Sequence, residues 1–367
     1  MHKKIKVLII LTLAIAFLGA GCSKLSENQN SKEEEENIKV GFVSALSGNA
    51  AEWGKPLKKG FKFGIKQINK NGGIEGRKIK PIYKDSGCKS KQGLSAFRNL
   101  INVQKVNFIT GTVCSSVAIT TAPLINKNNI FYLASGATHP KITNKGESIF
   151  RLWVSDGYEA KEIADYAIDK LNNKTFSIGH FNDNPAGVAL KNNFKKEIRK
   201  NNGKVLSVQS FSSQEKSFRS ILTKLISENP DSLYLVTTPS QTPLIVNTAR
   251  ELGFEGNILL YGSSAKSDSS EKIKNKEDIF YAIPDPKKQT EFWEKYKKQK
   301  GKEASQLNAL GYDSAQMIAD GIKKCGKDIK CMRNYFTSKK KYKTTRGTFE
   351  FNKYGDITDI NFEIKEL

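Results

Sequence analysis

The stretch GTVCSSVAITTAPL, Gly111 to Leu124, follows the apolar run Val106–Ile109 and opens into a helical pattern. An apolar run, a glycine, and a cysteine and two serines at a helix start make a strand–loop–helix unit. Three uses of such a loop fit these residue types: a nucleophile, a phosphate cradle or a clamp on a small ligand. Ser115 at the expected cap of a helix over Ser116–Lys127 would leave backbone N–H groups and the positive end of the helix dipole facing an anion.

The same unit recurs on both sides. Strands are expected at Ile38–Ala45, Ile79–Lys84, Val106–Ile109 and Ile130–Ala134, and again at Thr175–Phe181, Lys204–Phe211, Leu233–Thr237 and Ile258–Tyr261. Between the first two, Leu57, Phe61, Ile65 and Ile68 recur at helical spacing, and Gly72-Gly73 closes that helix. Strands alternating with helices predict right-handed crossovers and parallel sheets covered on both faces. The first run of units ends around Phe150–Asp156 and a second begins, which predicts an α/β protein of two similar lobes. Ligands of such sheets sit beyond the carboxyl ends of the strands, so two sheet edges would face one cleft. After IPDPKK, Ile283–Lys288, helices are expected at Glu291–Lys297 and Asn308–Lys324, followed by the alternating RGTFEFNKYGDI.

A chain of 367 residues, 38% hydrophobic, has material for at least two cores. Its start reads as a secretory leader: Lys3, Lys4 and Lys6 precede the apolar run Val7–Leu18, which is short for a membrane span. LGAGC then resembles a bacterial lipobox, predicting cleavage after residue 21 and lipidation of Cys22, with Gly19 where leucine is usual. Residues 22–37 are polar and read as a tether that needs no fold. The net charge of +23 raises the question of nucleic acid. Lysines scattered along the chain, and an isolated KKKYK at Lys339–Lys343, read instead as a solvated surface of an exported protein.

Five cysteines fit one lipidated residue and two disulfides. Cys325 and Cys331 bracket a short loop. Cys88 and Cys114 each follow an expected strand end, and adjacent parallel strands bring such ends together; free buried thiols are the alternative for both pairs.

The loop after the first strand, SALSGNAAEWGKPLKKG, offers small residues and Trp53 as an apolar wall. The fourth strand ends in LASGATHP, where the Gly136 carbonyl and the Thr138 hydroxyl lie beside Ser115, with Ala137 between them. Two neighbouring strand ends thus supply hydroxyls and backbone polar groups to one small space.

These segments, with DSGC, NALGYDSAQ and GTFEFNKYGD, occur in an order that resembles the type I periplasmic binding proteins, most closely the leucine/isoleucine/valine-binding branch of ABC-transporter receptors. The resemblance runs from about Ile38 to Leu367. It implies two lobes joined by a multi-strand hinge, with residues 38–155 and 285–341 in the first and 156–284 and 342–367 in the second. It implies binding of a small amino acid, branched-chain or otherwise apolar, by hinge closure, delivery to ABC permease subunits, a monomeric receptor and no cofactor, metal or nucleic acid. By that resemblance Ser115 and Thr138 hold the α-carboxylate, Thr138 and the Gly136 carbonyl meet the ammonium, Trp53 and Leu307 form apolar walls, and Cys88 pairs with Cys114.

The second lobe departs from the pattern. Ala186 replaces a tyrosine before Gly187, and Ser264 stands where an acid normally neutralises the ammonium. A buried ammonium without a carboxylate costs several kcal/mol. Either Asp156, Asp183 or Asp268 substitutes, with Asp156 also readable as a helix cap, or the ligand is a carboxylate, amide or aromatic acid without an ammonium. Catalysis is not expected: His139 and His180 are the histidines left after the leader, Ser115 has no G-x-S-x-G elbow, and no P-loop or metal-binding motif occurs.

Overall fold

The computed structural model describes residues 37–265, 268–284, 290–338, 341–358 and 360–367. The leader, Cys22 and the tether up to residue 36 lie outside the described residues.

β1 (Ile38–Ser44) is buried along nearly its whole length, as an apolar run with cover on both faces must be. It pairs in parallel with β2 (Ile79–Asp85) and β3 (Phe108–Thr110), and β4 (Phe131–Ala134) and β5 (Ile149–Arg151) complete a parallel sheet in the order β2-β1-β3-β4-β5. Helices α1 (Ala51–Lys70), α2 (Ser90–Arg98) and α3 (Ser115–Lys127) connect the first four strands. Beyond β5, α4 (Asp156–Asp169) leads into the second sheet. Its strands are β6 (Thr175–Phe181), β7 (Lys204–Phe211), β8 (Ser232–Val236), β9 (Asn257–Leu260) and β10 (Ile279–Pro284), with α5 (Pro185–Lys200), α6 (Arg219–Ile226), α7 (Thr242–Glu251) and the single turn α8 (Gly262–Ala265) between them. The order is β14-β10-β9-β8-β6-β7; counted from β6, its parallel part repeats the 2-1-3-4-5 order of the first sheet, and β14 (Phe362–Glu366) adds antiparallel to β10. In each lobe the order reverses beside the opening strand, which creates a crevice at the strand ends.

The chain then returns to the first lobe. α9 (Thr290–Lys300) sets Phe292 and Tyr296 against Phe63, and α10 (Gln306–Cys325) crosses α1 closely. A Cβ on Gly60 would lie 1.8 Å from the Asn308 carbonyl oxygen, and one on Gly311 would lie 2.0 Å from that of Leu57. Glycine at both positions lets the two backbones touch, and Asn308 Nδ2 donates to the Pro56 carbonyl across the contact at 2.7 Å. α11 (Ile329–Ser338) follows, and a small antiparallel sheet of β11 (Tyr342–Thr344), β12 (Gly347–Phe351) and β13 (Ile357–Thr358) precedes β14.

That small sheet corrects the expected lobe boundary. Phe351 packs on Phe150 and Phe336, with ring centroids 5.2 and 6.0 Å apart, and Arg151 forms an ion pair of 2.7 Å with Asp356. Residues 342–358 therefore pack with the first lobe, their aromatic rings on Phe150 and their Asp356 bridged to Arg151 at the β5 edge; Phe362–Glu366 alone of the expected 342–367 segment joins the second sheet. β5 and β10 were not expected as strands. One has three residues and the other ends in Pro284, and neither shows a period.

Both cysteine pairs are bonded: Cys88 to Cys114 with Cα atoms 5.5 Å apart, and Cys325 to Cys331 at 5.6 Å. The first staples the loop after β2 to the start of α3.

Candidate ligand cleft

The strand ends of the two sheets face each other across one cleft, and Trp53, in the first turn of α1, stands in its middle. Trp53 is 7% exposed; its indole Nε1 donates to the Ser263 carbonyl at 3.0 Å, and its ring meets Tyr261 edge-on at 6.3 Å. Further bonds close the lobes together: Asn49 Nδ2 to the Ser213 carbonyl at 2.9 Å and Ser269 Oγ to Glu52 Oε1 at 2.6 Å. The molecule is in a closed form.

Behind Trp53 the closed lobes leave a small, tight cavity. Trp53, Trp153, Phe181, Tyr261, Val113 and Leu307 give it apolar walls. Thr138, Asn184 and Ser263 give it polar ones, and Gly136 and Ala186 keep parts of the wall low. This is the composition of a small-molecule site: apolar surfaces with a few placed polar groups. Two larger compartments open on either side of Trp53. One is bordered by Glu52, Lys55, Lys59 and Asp268, the other by Asn49, Ser90, Ser116 and Asp183.

Each wall follows from the fold. Val113 and Gly136 leave β3 and β4, and Gly136 N donates to the Thr112 carbonyl at 2.9 Å, tying the two loops. Gly111 begins the turn at φ +96°, where a Cβ would strike the Phe42 ring at 2.6 Å. Asn184 caps α5, its Oδ1 accepting from Ala186 N at 3.2 Å, while its Nδ2 faces Cys88 Sγ of the opposite lobe at 3.7 Å. Trp153 is buttressed from outside: Arg346, in a 2.9 Å buried ion pair with Asp313, lies over its ring at 5.5 Å.

Several expected site residues sit differently. Ser115 is the first residue of α3, not its cap; Cys114 occupies the cap position without a side-chain bond. The Ser115 hydroxyl, 1% exposed, accepts from Thr138 N at 3.3 Å and His139 N at 3.2 Å. It is adjacent to Thr138, as expected, yet it holds the loop that presents Thr138 and does not itself line the cavity. Cys114 and Ala137 are likewise buried behind the wall. Ser264 is a clear correction: its Oγ donates to the Tyr261 carbonyl at 2.8 Å inside the second lobe, because the α8 turn rotates it inward and puts Ser263 on the cleft. Trp153, Phe181, Asn184, Tyr261 and Ser263 were not singled out. The placement of Phe181 and Tyr261 at strand ends and the Asn-Pro cap at Asn184 were the available signals.

Among the described residues no carboxylate lines the central cavity, but two acids lie behind it. Asp156, at the first position of α4, is 1% exposed, and neither carboxyl oxygen has a hydrogen-bond partner among the described residues. Burial pushes its carboxyl up to about 7, against the opposing pull of the Thr138 hydroxyl and the Arg151 guanidinium. Its own N–H donates to the Thr138 carbonyl at 3.0 Å, so it is attached to the wall residue itself. Ser155, not Asp156, is the capping position of α4. Glu159, one turn on, is also buried and accepts from Gly262 N at 2.7 Å; burial raises its carboxyl well above the usual range, Gly262 N–H opposes that, and Asp156 adds to it. Asp183 instead binds Ser212 and Ser213 at the rim.

The chemistry of a hydrolase is missing where it was considered. Cys114 is disulfide-bonded, and Ser115 Oγ is engaged by two backbone donors. Burial, followed by Lys141, Arg151 and Lys145, lowers His139 to about 4, and its Nδ1 accepts from Lys141 N at 3.0 Å. His180 Nδ1 lies 2.9 Å from the Phe181 carbonyl oxygen.

Two doubly wound lobes closed over a small, apolar-walled cleft define a solute receptor. A profile of the periplasmic binding proteins matches residues 37–356, and the chain belongs to that family, in its leucine/isoleucine/valine-binding branch. It is 26% identical over 338 residues to the Leu/Ile/Val-binding protein homolog 3 of Brucella melitensis, covering 89% of this chain and 90% of that one. Its fold superposes on a leucine binding protein from Thermotoga maritima with a TM-score of 0.83 at 22% identity, over 90% and 95% of the two chains. It also superposes on an ABC-transporter solute binding protein from R. palustris in complex with benzoate, at 0.82 and 19%, over 90% and 93%. The family is a non-enzymatic, extracytoplasmic one whose members bind small molecules and ABC permeases. No helix of the described residues is long and apolar enough to cross a membrane.

Proposed function

We propose that this chain is the receptor of an ABC importer that closes over a small amino acid with an apolar side chain, the cargo class named for its Brucella and Thermotoga relatives. The observation that carries the reading is the cavity itself: four aromatic rings and Leu307 around a side chain, with Thr138 and the N-terminus of α5 beside the head group. Ser115 holds Thr138 in place. Asp156 supplies the negative charge that Ser264 lacks, ionising as the ammonium arrives. Asp268, in the outer compartment, is the remaining alternative acid.

Calorimetric titration with leucine, isoleucine, valine and phenylalanine, beside benzoate and small amides, tests this. Amino acids are expected to bind, with affinity falling as pH drops below about 7, where Asp156 takes up a proton. Binding by ammonium-free acids or amides alone would replace the amino-acid assignment with the second reading, which the lack of a carboxylate among the described residues of the cavity wall and the benzoate-bound relative favour.

We further propose that Cys22 is lipidated and that residues 22–37 tether a monomeric receptor to the membrane. Mass spectrometry of the mature N-terminus tests it: diacylglyceryl on Cys22 is expected, and an unmodified N-terminus would refute it. Delivery to a permease, rather than to a signalling partner, predicts that closed receptor stimulates ATP hydrolysis by its transporter.

A further inference from the structure

α1 carries a second feature, on the side opposite its contact with α10. Its buried face is apolar or glycine, from Trp53 through Leu57, Gly60, Phe61 and Gly64 to Ile65. Its exposed residues are Lys55, Lys59, Lys62, Lys66 and Lys70, and every exposed position of the twenty-residue helix is a lysine. Spacings of four, three, four and four residues keep them in one row, about 22 Å long at 1.5 Å per residue. The acid of this helix is Glu52, whose Oε1 accepts from Ser269 across the cleft. None of the five lysines has an ion pair among the described residues, whereas elsewhere Lys161, Lys295 and Lys297 do.

Five like charges in one row repel each other, and an evolved helix surface ordinarily mixes signs. The row is not built as a protein–protein core either. Such cores are depleted in lysine and rely on aromatic, apolar and arginine anchors, and this face exposes none of them. Strongly hydrated point charges without an apolar companion suit a surface that is negatively charged, flat and chemically diffuse.

We infer that the lysine row of α1 rests on the anionic phosphate headgroups of the membrane outside which the receptor works. Adsorption is electrostatic and shallow, since no apolar side chain is available to insert. The row begins at Lys55 and Lys59, which border the outer compartment of the cleft, so a helix lying along the bilayer brings the cleft mouth to the membrane surface. The interaction does not depend on what the cleft binds.

The test uses the chain from Ser23 onward, which contains every described residue and contact and has no acyl chain. Sedimentation with vesicles of equal phosphatidylglycerol and phosphatidylcholine is compared with pure phosphatidylcholine. Binding to the anionic vesicles alone is expected, and it should collapse between about 50 mM and about 500 mM salt. A variant with all five lysines replaced by glutamine should lose about 3,000-fold in affinity where all five reach the surface, and at least about twenty-five-fold where two do, given roughly fivefold per lysine at an anionic surface. A control of equal charge change places glutamine at exposed Lys196, Lys204, Lys216, Lys224 and Lys276 of the second lobe and should keep most of the binding. Circular dichroism confirms that both variants fold. Equal losses in the two variants would reduce the effect to net charge and overturn the proposal. So would wild-type binding that ignores headgroup charge, or binding to soluble polyphosphate with none to vesicles.

Discussion

Asp156 is fully buried with only partial compensation for its charge, and it is therefore where function and stability pull apart. Its carboxyl is raised from 3.8 to about 7, so the folded protein holds a proton that the unfolded chain has released. Stability attributable to this group is greatest at low pH, falls as pH rises from about 4 to about 7, and stays low above that. The deficit at pH 8 is about 4 kcal/mol for a shift of this size. Asp156→Asn should thus raise the melting temperature at pH 8, leave it nearly unchanged at pH 4, and weaken amino-acid binding at pH 8. Thermal melts at both pH values with parallel titrations check it; a variant that melts earlier at pH 8 would show that the carboxylate is structurally compensated. Trp53→Phe keeps a ring on the cavity but loses the bond to Ser263. A several-fold loss of affinity is expected, about 1 kcal/mol, measured by titration.

At the scale of elements, the crossing of α1 and α10 is fixed by absent side chains. Gly60→Ala forces a methyl group into the Asn308 carbonyl, backbone against backbone, and should destabilise by about 3 kcal/mol, the upper end of the usual range for overpacking, seen as a shift in the denaturation midpoint. Replacing Cys88 and Cys114 together by serine should cost about 3 kcal/mol through the loop they close. The elements were also what the sequence disclosed best. Eight strands and the main helices were legible because buried parallel strands and amphipathic helices write long periodic signals. β5 and β10 are too short or too uniform to write one. Trp53, Gly136, Thr138, Ala186 and Leu307, singled out because they lie in loops after strands or match a family motif, all border the cavity. Ser264 misled because a one-residue rotation within the α8 turn decides whether Ser263 or Ser264 faces the cleft, and no pattern of residue types encodes that rotation. Trp153 was missed because what makes it a wall is Arg346, nearly two hundred residues away in sequence.

For the whole molecule, the described bonds that hold the lobes closed include Trp53 to Ser263, Asn49 to Ser213, Ser269 to Glu52 and Asn184 to Cys88. Apparent affinity is scaled by the fraction of molecules able to close. Asn49→Ala removes a bond remote from the cavity wall and should lower affinity by a few-fold while leaving the melting temperature of the ligand-free protein within about 1 °C, since surface bonds of this kind add little to either core. Small-angle scattering should show a larger radius of gyration for that variant without ligand and equal radii at saturation. An unchanged radius would mean that the bond does not govern the opening.

The chain is in the first lobe at β5, in the second from β6 to β10, in the first again from α9 to β13, and in the second at β14, so it changes lobe three times. A body suspended by one thread can swivel, tilt and drift. Suspension by three resists torsion and translation and leaves opening and closing as the soft coordinate. One spectroscopic ruler spanning the gap is then enough to follow the entire capture cycle.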